Sequence, residues 1–473
     1  MRHRAGAGGE TVKSLIALDD AVVAMEATGF RIDASYCSAQ ALRARAIEGD
    51  VLGALRESLG RLGVPPLPGV DLVWSSAPQM VRLFHSVLGA APSPVWKKGR
   101  VDVDAGERKL DQVALEWVAL RTPQLRPLIA SVIQLRRTRG CIKYLEKFPT
   151  FIGPDGRVHP TCGPAGDADE RSGAVTGRLA IKNPEAQQIP KDPRKDPYQI
   201  RRAFVAEPGK VLVVADFSAL EVMLLAHICL ALFGDDQLAR MTAPGAPDIH
   251  SWNARLVFGE HLDWKLSDGR RVRDLPLSAF KDHDDPEACR LRDLIKTVWY
   301  GLMYGKGGYG FGSSLLDDNG DPIGEDRATE IVEALLNAVL GIRRYQSWVR
   351  DYIHVHRGIP SLAGRWCPLG DLLDMRSRSA DNRAWRRALN FPMQAGAADV
   401  VGAAMVAVHR DPLLRDLGFV TILQVHDELI IEGPAEGAPK ARDRLVHLMT
   451  NSFPLRVPLA VEAKIATNWH EGK

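Results

Sequence analysis

The chain has 473 residues; at about 150 residues per domain this is material for about three folding units, which excludes a single small module. With 45% hydrophobic and 25% charged residues it can build sizeable cores, and wholesale disorder is excluded. The formal charge is only +3, so any grip on a polyanion must come from local basic patches rather than from the overall field.

Leu15, Leu18, Val22 and Met25 recur at helical spacing over 14–28, and Gly29 followed by Arg31-Ile32-Asp33 ends that helix. Helical sequence then runs to Leu62. Pro65, Pro66 and Pro68 make 63–70 a break, and the helical period resumes over 75–88 after Ser75-Ser76. A helix is expected over 124–148, carrying RRTRG at 136–140 with Lys143 and Lys147 beyond; this basic stripe is either a solvated face or a nucleic-acid contact. From 149 to 210, recurrent glycines (Gly153 to Gly177) and prolines (Pro184 to Pro208) mark strands and loops.

A buried strand, 211–215, leads into a helix over 218–233. Helices follow at 248–258 and 288–304, separated by a charged, poorly periodic insert at 260–287. A helical pair at 325–357, a hairpin-like stretch at 359–369 and a helix over 383–408 come next. The chain closes with a hydrophobic hairpin from Phe419 to Glu432, a helix over 436–452 and a strand over 457–465.

The six cysteines (Cys37, Cys141, Cys162, Cys229, Cys289 and Cys367) form no CxxC pair and no zinc-like spacing with histidine, which suits a reduced, intracellular setting. The N-terminus lacks an apolar signal core. The longest apolar stretch, 219–233, is interrupted by Glu221 and His227 and reads as a buried helix, so no membrane association and a cytoplasmic location are expected.

Three segments carry chemistry. In VLVVADFSALE (211–221) an acid, Asp216, stands at the carboxyl end of a buried strand, placed to hold a ligand, although Asp at a strand end is also an ordinary helix N-cap. In ILQVHDELIIE (422–432) the triplet His426-Asp427-Glu428 is expected at a hairpin tip between apolar strands. It is either a solvated turn or two acids gathered around a shared cation or substrate. In RLRDLIKTVWYGLMYG (290–305), Arg292, Lys296, Tyr300 and Tyr304 recur every fourth residue and wind along one helix side over about 18 Å. Two cations followed by two aromatics suit a triphosphate at one end and a base at the other; a salt-bridged amphipathic helix is the plainer alternative. Together the three describe phosphoryl transfer, provided that Asp216 and Asp427 meet in the fold.

VVADFSALE resembles motif A, RLRDLIKTVWYGLMYG motif B and QVHDELIIE motif C of the family A (polymerase I-like) DNA polymerases, in the family's chain order. Further matches fill the intervals: MEATGFRID (25–33), TGRLAIKNPEAQQIP (176–190), DIHSWNARLVFG (248–259) and RRALNFPMQAGAAD (386–399). The resemblance runs from about residue 14 to the C-terminus.

The resemblance implies an α+β right-hand polymerase fold, with an antiparallel palm sheet and helical fingers and thumb. Residues 1–33 would join the palm, 34–150 form the thumb, 151–233 the palm with motif A, 234–360 the fingers with motif B, and 361–473 the palm with motif C. Asp216 and Asp427 would ligate two magnesium ions, for which manganese could substitute, with Glu428 a supporting acid. Arg292, Lys296 and His250 would take the incoming triphosphate, Lys296 also giving a proton to pyrophosphate. Tyr300 would stack on the nucleotide and Tyr304 pack near the templating base. Glu221 would be the steric gate that excludes a ribose 2′-hydroxyl, and Tyr300 in its phenol form would tolerate dideoxynucleotides. Arg178, Arg386, Asn390, Gln394 and His426 would contact primer or template, and the basic stripe of 124–148 would meet duplex phosphates.

The expected partners are primer–template DNA and deoxynucleoside triphosphates, on a monomer serving replication or repair of phage, plasmid or bacterial DNA. Only about a dozen residues precede the polymerase-like region, so no proofreading nuclease is expected: the enzyme either depends on a separately encoded exonuclease or tolerates errors, as a phage, plasmid or lesion-bypass enzyme would, and a separate exonuclease or processivity factor is a candidate further partner. Phe217, Ala219 and Met223 stand where relatives usually show Tyr, Gln and Arg, Glu185 and Gln188 where asparagines are common, and the 260–287 insert is longer than in the bacterial enzymes. A single-subunit RNA polymerase is the second enzyme reading, against which Glu221 and the His-Asp-Glu triplet argue; a catalytically silent DNA-binding scaffold is the third.

Overall fold

The computed structural model describes residues 7–64, 72–91, 110–164, 176–191, 195–312, 314–315, 317 and 321–473. The proline break at 63–70 lies almost wholly outside these residues, as do 165–175 and 192–194 of the glycine- and proline-rich stretch.

Helix α1 (Ala7–Thr28) stops at Gly29, whose φ is +62°; a Cβ there would lie 2.5 Å from the Val158 carbonyl oxygen, so the turn demands glycine. After a short strand, Phe30–Ile32, the Asp33 carboxylate accepts from the Tyr36 amide at 2.9 Å and so caps α2 (Ala34–Arg61). The helix resumed after Ser75-Ser76 is capped by Ser76 and passes into a π-helical turn, Arg82–Val87. α3 (Gln112–Arg121), capped by Asp111, and α4 (Arg126–Lys147) complete a helical unit. Its own core contains Val51, Leu55, Trp74, Phe84, Leu115 and Leu128.

The apolar run at 211–215 extends at both ends into strand β1 (Lys210–Phe217). With β2 (Val420–Val425), β3 (Glu428–Pro434) and β4 (Val461–Ala466) it forms an antiparallel sheet in the order β4-β1-β3-β2. Alternate residues of β1 serve two cores, as the period of two requires. Leu212 and Val214 join Ile430 and Trp469 in one core, which also takes in Cys37 of α2 and Leu145 of α4. Val213, Ala215 and Phe217 face the largest core. This is built with α5 (Leu220–Phe233), α6 (Ile249–Ala254), α7 (Pro286–Met303), α8 (Glu325–Ala338), α9 (Leu340–His356), α10 (Arg378–Arg410) and α11 (Ala438–Asn451).

The 260–287 insert is less detached than its lack of periodicity suggests. Leu266, Val272, Leu275 and Phe280 are buried in the largest core, and the Arg327 guanidinium lies 4.3 Å from the Trp264 ring. Among the described residues α10, rather than 219–233, is the helix long and apolar enough to cross a membrane; 67% of its apolar window is buried inside the protein, as befits a core helix.

Candidate active site

Motif A and the 422–432 hairpin meet edge to edge. β1 and β3 pair with Asp216 opposite Glu428, and the Phe217 amide donates to the Asp427 carbonyl at 3.1 Å. Asp216 is not a helix cap: it lies within β1, and the N-cap position of α5 is held by Ala219, which has φ +50° and makes no side-chain cap. His426 also has positive φ, +56°. Ala219 and His426, two of the seven non-glycine residues with positive φ among the described residues, thus stand close to the two aspartates, a strained backbone of the kind that collects at functional sites.

The structure corrects the expectation for Glu428. The turn consists of His426 and Asp427 alone, and Glu428 is already a strand residue with 0% exposure. Trp469 Nε1–H donates to its Oε1, and the Lys473 ammonium pairs with its Oε2. Two branched runs around a polar triplet cannot tell by spacing which of its members turn, and a two-residue turn drew Glu428 into the ladder.

Asp216 has two cations on Oδ2, Lys473 at 2.8 Å and Lys191 at 3.2 Å. Burial acts to raise its carboxyl, but Lys473, with Lys191 behind it, more than offsets this and holds it below the usual carboxylate range. Asp427 is the reverse. Among the described residues no hydrogen bond or ion pair reaches its carboxylate. Burial, reinforced by Glu221 and Asp216 and opposed by Arg178 and Lys191, pushes it up to about 6.

Asp285 caps α7 and Pro286 opens it. Leu291, Ile295, Val298, Trp299 and Leu302 form its buried stripe. Lys296 is exposed, with no partner among the described residues. Arg292 is not free: its Nε and Nη2 reach Asp248 Oδ2 and Oδ1 at 2.8 and 3.0 Å, while Asp248 also caps α6. His250, expected at the triphosphate, is largely enclosed. It is 6% exposed and packed against Trp299 and Tyr300, and burial lowers its imidazole to about 4. Burial raises the Tyr300 phenol, helped by Glu221, Asp427 and Asp248, so α7 brings Tyr300 into the field of Asp427 and Glu221. Helix α7 ends at Met303, leaving Tyr304 just beyond it.

Tyr304 O–H donates to Glu221 Oε2 at 2.7 Å, and Arg178 Nη2 donates to Glu221 Oε1 at 2.9 Å. These two bonds fix the expected gate residue. Gln394 of α10 lies beside the Tyr304 hydroxyl. One turn earlier on α10, Asn390 Nδ2 donates to the Arg386 carbonyl at 3.0 Å, and the Arg386 side chain is exposed. His426 is exposed at the mouth of a small cavity shared by Arg178, Gln187, Gln424 and Asp427.

Sequence reasoning missed Lys191, Lys473 and the anchoring role of Asp248. Asp248 could have been found, since an acid just before a short helix is a cap signal; the lysines reach Asp216 only through the tertiary fold. Among the described residues no group of three or more His, Cys, Asp and Glu side chains forms a ready-made cation site. Asp216 and Asp427 nonetheless offer the hard oxygen donors that magnesium takes by ones and twos when substrate phosphates complete its shell, and Asp427 has an uncompensated charge to offer. The residues present fit a metal shared with a substrate.

The sequence model of a family described as DNA polymerase family A matches residues 72–273 and 278–471. The DNA polymerase I of Chloroflexus aurantiacus is 34% identical over 353 residues, 74% of this chain and 33% of that protein. That of Deinococcus radiodurans is 30% identical over 450 residues (95% and 41%), and the thermostable DNA polymerase I of Thermus thermophilus 31% over 458 (95% and 47%). The chain therefore spans a third to a half of the length of these curated relatives. A solved structure described as the POL domain of Pol1 from M. smegmatis in complex with DNA primer-template and dNTP matches with a TM-score of 0.78 at 24% identity, covering 97% of this chain and 70% of that chain. The shared fold is α+β: a right hand with an antiparallel palm sheet and helical fingers and thumb.

Proposed function

Because the chain belongs to DNA polymerase family A, we propose that it extends a primer 3′ end on a DNA template, adding deoxynucleotides by phosphoryl transfer at the end of β1 and the β2–β3 turn. The observation that carries this reading is the convergence of Asp216 and Asp427, remote in sequence, beside the helix bearing Lys296 and Tyr300. Asp216 and Asp427 would hold two magnesium ions, which when bound neutralise phosphate charge and ease deprotonation of the primer 3′-hydroxyl.

The chain's own residues do the rest. The exposed Lys296 ammonium receives triphosphate oxygens and is placed to give a proton to departing pyrophosphate. Tyr300 offers a ring face to the nucleotide, and Glu221, pinned by Arg178 and Tyr304, closes the space beneath the sugar. Arg386, Asn390, Gln394 and His426 line the path of primer and template, and the basic residues of α4 meet duplex phosphates. In this reading the thumb comprises 34–150, the fingers 234–360, and the palm 151–233 and 361–473, with 1–33 joining it.

Primer extension with and without magnesium tests it. Extension by the wild type should require the metal and a complementary template. Asp427→Asn should lower the rate by about 10³-fold or more while leaving primer–template binding within about twofold. Extension by Asp427→Asn at the wild-type rate would leave a DNA-binding scaffold as the better account.

A further inference from the structure

The sheet presents an acidic rung that its own strands do not neutralise. In register, Glu428 of β3 and Glu462 of β4 both stand opposite Asp216 of β1, so three carboxylates cross adjacent strands on one face. Like charges directly opposed across strands are destabilising. The segment after β4 supplies the compensation. Trp469 is fully buried, its amide donating to the Phe204 carbonyl at 2.9 Å, with the Arg201 guanidinium 4.1 Å from its ring. The chain then lies flat on the sheet: a Cβ at Gly472 would stand 2.5 Å from Val214 Cγ2. Lys464 of β4, opposite Val214, holds the Lys473 carbonyl at 2.7 Å. The result is one ammonium, Lys473 Nζ, on both Asp216 and Glu428.

We propose that Lys473 is a built-in counter-cation of this rung, a positioning residue that keeps Asp216 in place in the metal-free protein and competes with the divalent cation for the same carboxylate. The proposal rests on the reading of Asp216 and Asp427 as metal ligands. It follows from charge: a cation approaching Asp216 meets the Lys473 ammonium, held by its buried segment 2.8 Å from the same oxygen, beside the more exposed Lys191 at 3.2 Å, and must displace it or bind beside it. Removing that group should tighten metal binding and loosen the metal-free rung, two effects in opposite directions that a merely structural residue would not produce together.

The test is a titration of the full chain with Mn²⁺, followed by electron paramagnetic resonance without nucleotide or DNA, beside thermal melting in EDTA. Lys473→Ala and Lys473→Gln should each bind Mn²⁺ about fivefold more tightly than the wild type. They should melt lower than it in EDTA and recover on adding Mn²⁺. Lys473→Arg keeps the charge and should stay within about twofold of wild-type affinity. Unchanged or weaker Mn²⁺ binding in both neutral variants overturns the proposal. Failure of the underlying metal reading shows elsewhere: wild-type Mn²⁺ binding that Asp427→Asn leaves unaltered would sink that reading, whatever Lys473 does.

Discussion

Arg292 and Asp248 form a forked ion pair, two parallel N–H···O bonds of 2.8 and 3.0 Å. Lys281 adds a third cationic contact to the same carboxylate at 3.2 Å. The guanidinium expected to meet a triphosphate therefore already has an anion. Asp248 is held well below the usual carboxylate range: burial opposes this, but Arg292 and the Ser251 amide and hydroxyl outweigh it.

Asp248→Asn should cost about 2 kcal/mol of stability in urea denaturation, less than a fully buried pair would lose because both side chains keep some solvent contact. With the competing carboxylate neutralised, the nucleotide KM should fall. A KM that rises would mean that Asp248 holds Arg292 in its working position.

Glu221 is fixed by two bonds, so sugar selectivity should depend on its anchors as well as on itself. Glu221→Ala should raise relative ribonucleotide incorporation by about 100-fold. Tyr304→Phe removes one anchoring bond, worth about 1 kcal/mol, and should raise it by about fivefold. Competition between deoxy- and ribonucleotides on one primed template measures both, and equal effects would show that the hydroxyl, not the carboxylate bulk, sets the gate.

His250 predicts a pH dependence. Its imidazole titrates near 4 in the folded chain, against about 6.5 when unfolded, because burial disfavours the cation. Between these values the unfolded chain binds the extra proton, so the contribution to stability is complete above about pH 6.5 and is lost as pH falls through 4, in all about 3 kcal/mol. His250→Gln should flatten this part of the wild-type stability profile. A profile identical to wild type would place the titration elsewhere.

The helix α3 touches a distant loop. Trp117 Nε1–H donates to Asp321 Oδ1 at 3.1 Å, and Arg121 pairs with the other oxygen. Both charged side chains are more than a third exposed, so Asp321→Ala should change global stability by about 1 kcal/mol or less. Its effect should be local: faster amide hydrogen exchange in 112–121. Unaltered exchange there would mean that the contact restrains nothing.

What could be read from the chain follows from the range of the forces involved. Asp216 was legible because a branched apolar run reports a buried strand, and the helix after it reports where the strand ends. The turn at Asp427 was legible from the apolar flanks, but the inward path of Glu428 was not, since Trp469 and Lys473 decide it from far along the chain. His250 was named by the resemblance alone; only the packing of Trp299 and Tyr300 against it shows an enclosed ring. The pairing of Arg292 with Asp248 had a half-signal, the cap, whereas the lysines on Asp216 had none, because neither periodicity nor spacing encodes which loop folds over a sheet.

The separation of the apolar interior into distinct clusters bears on how the molecule comes apart. The cluster around Leu55, Phe84, Leu115 and Leu128 shares none of its fully buried members with the sheet, to which α2 and α4 connect it. Cooperative units follow such boundaries. Calorimetry should therefore resolve two waves of heat uptake, the helical unit melting ahead of the body that carries the aspartates, so that, on the proposed function, a warmed sample should lose its hold on duplex while the acidic rung stays assembled.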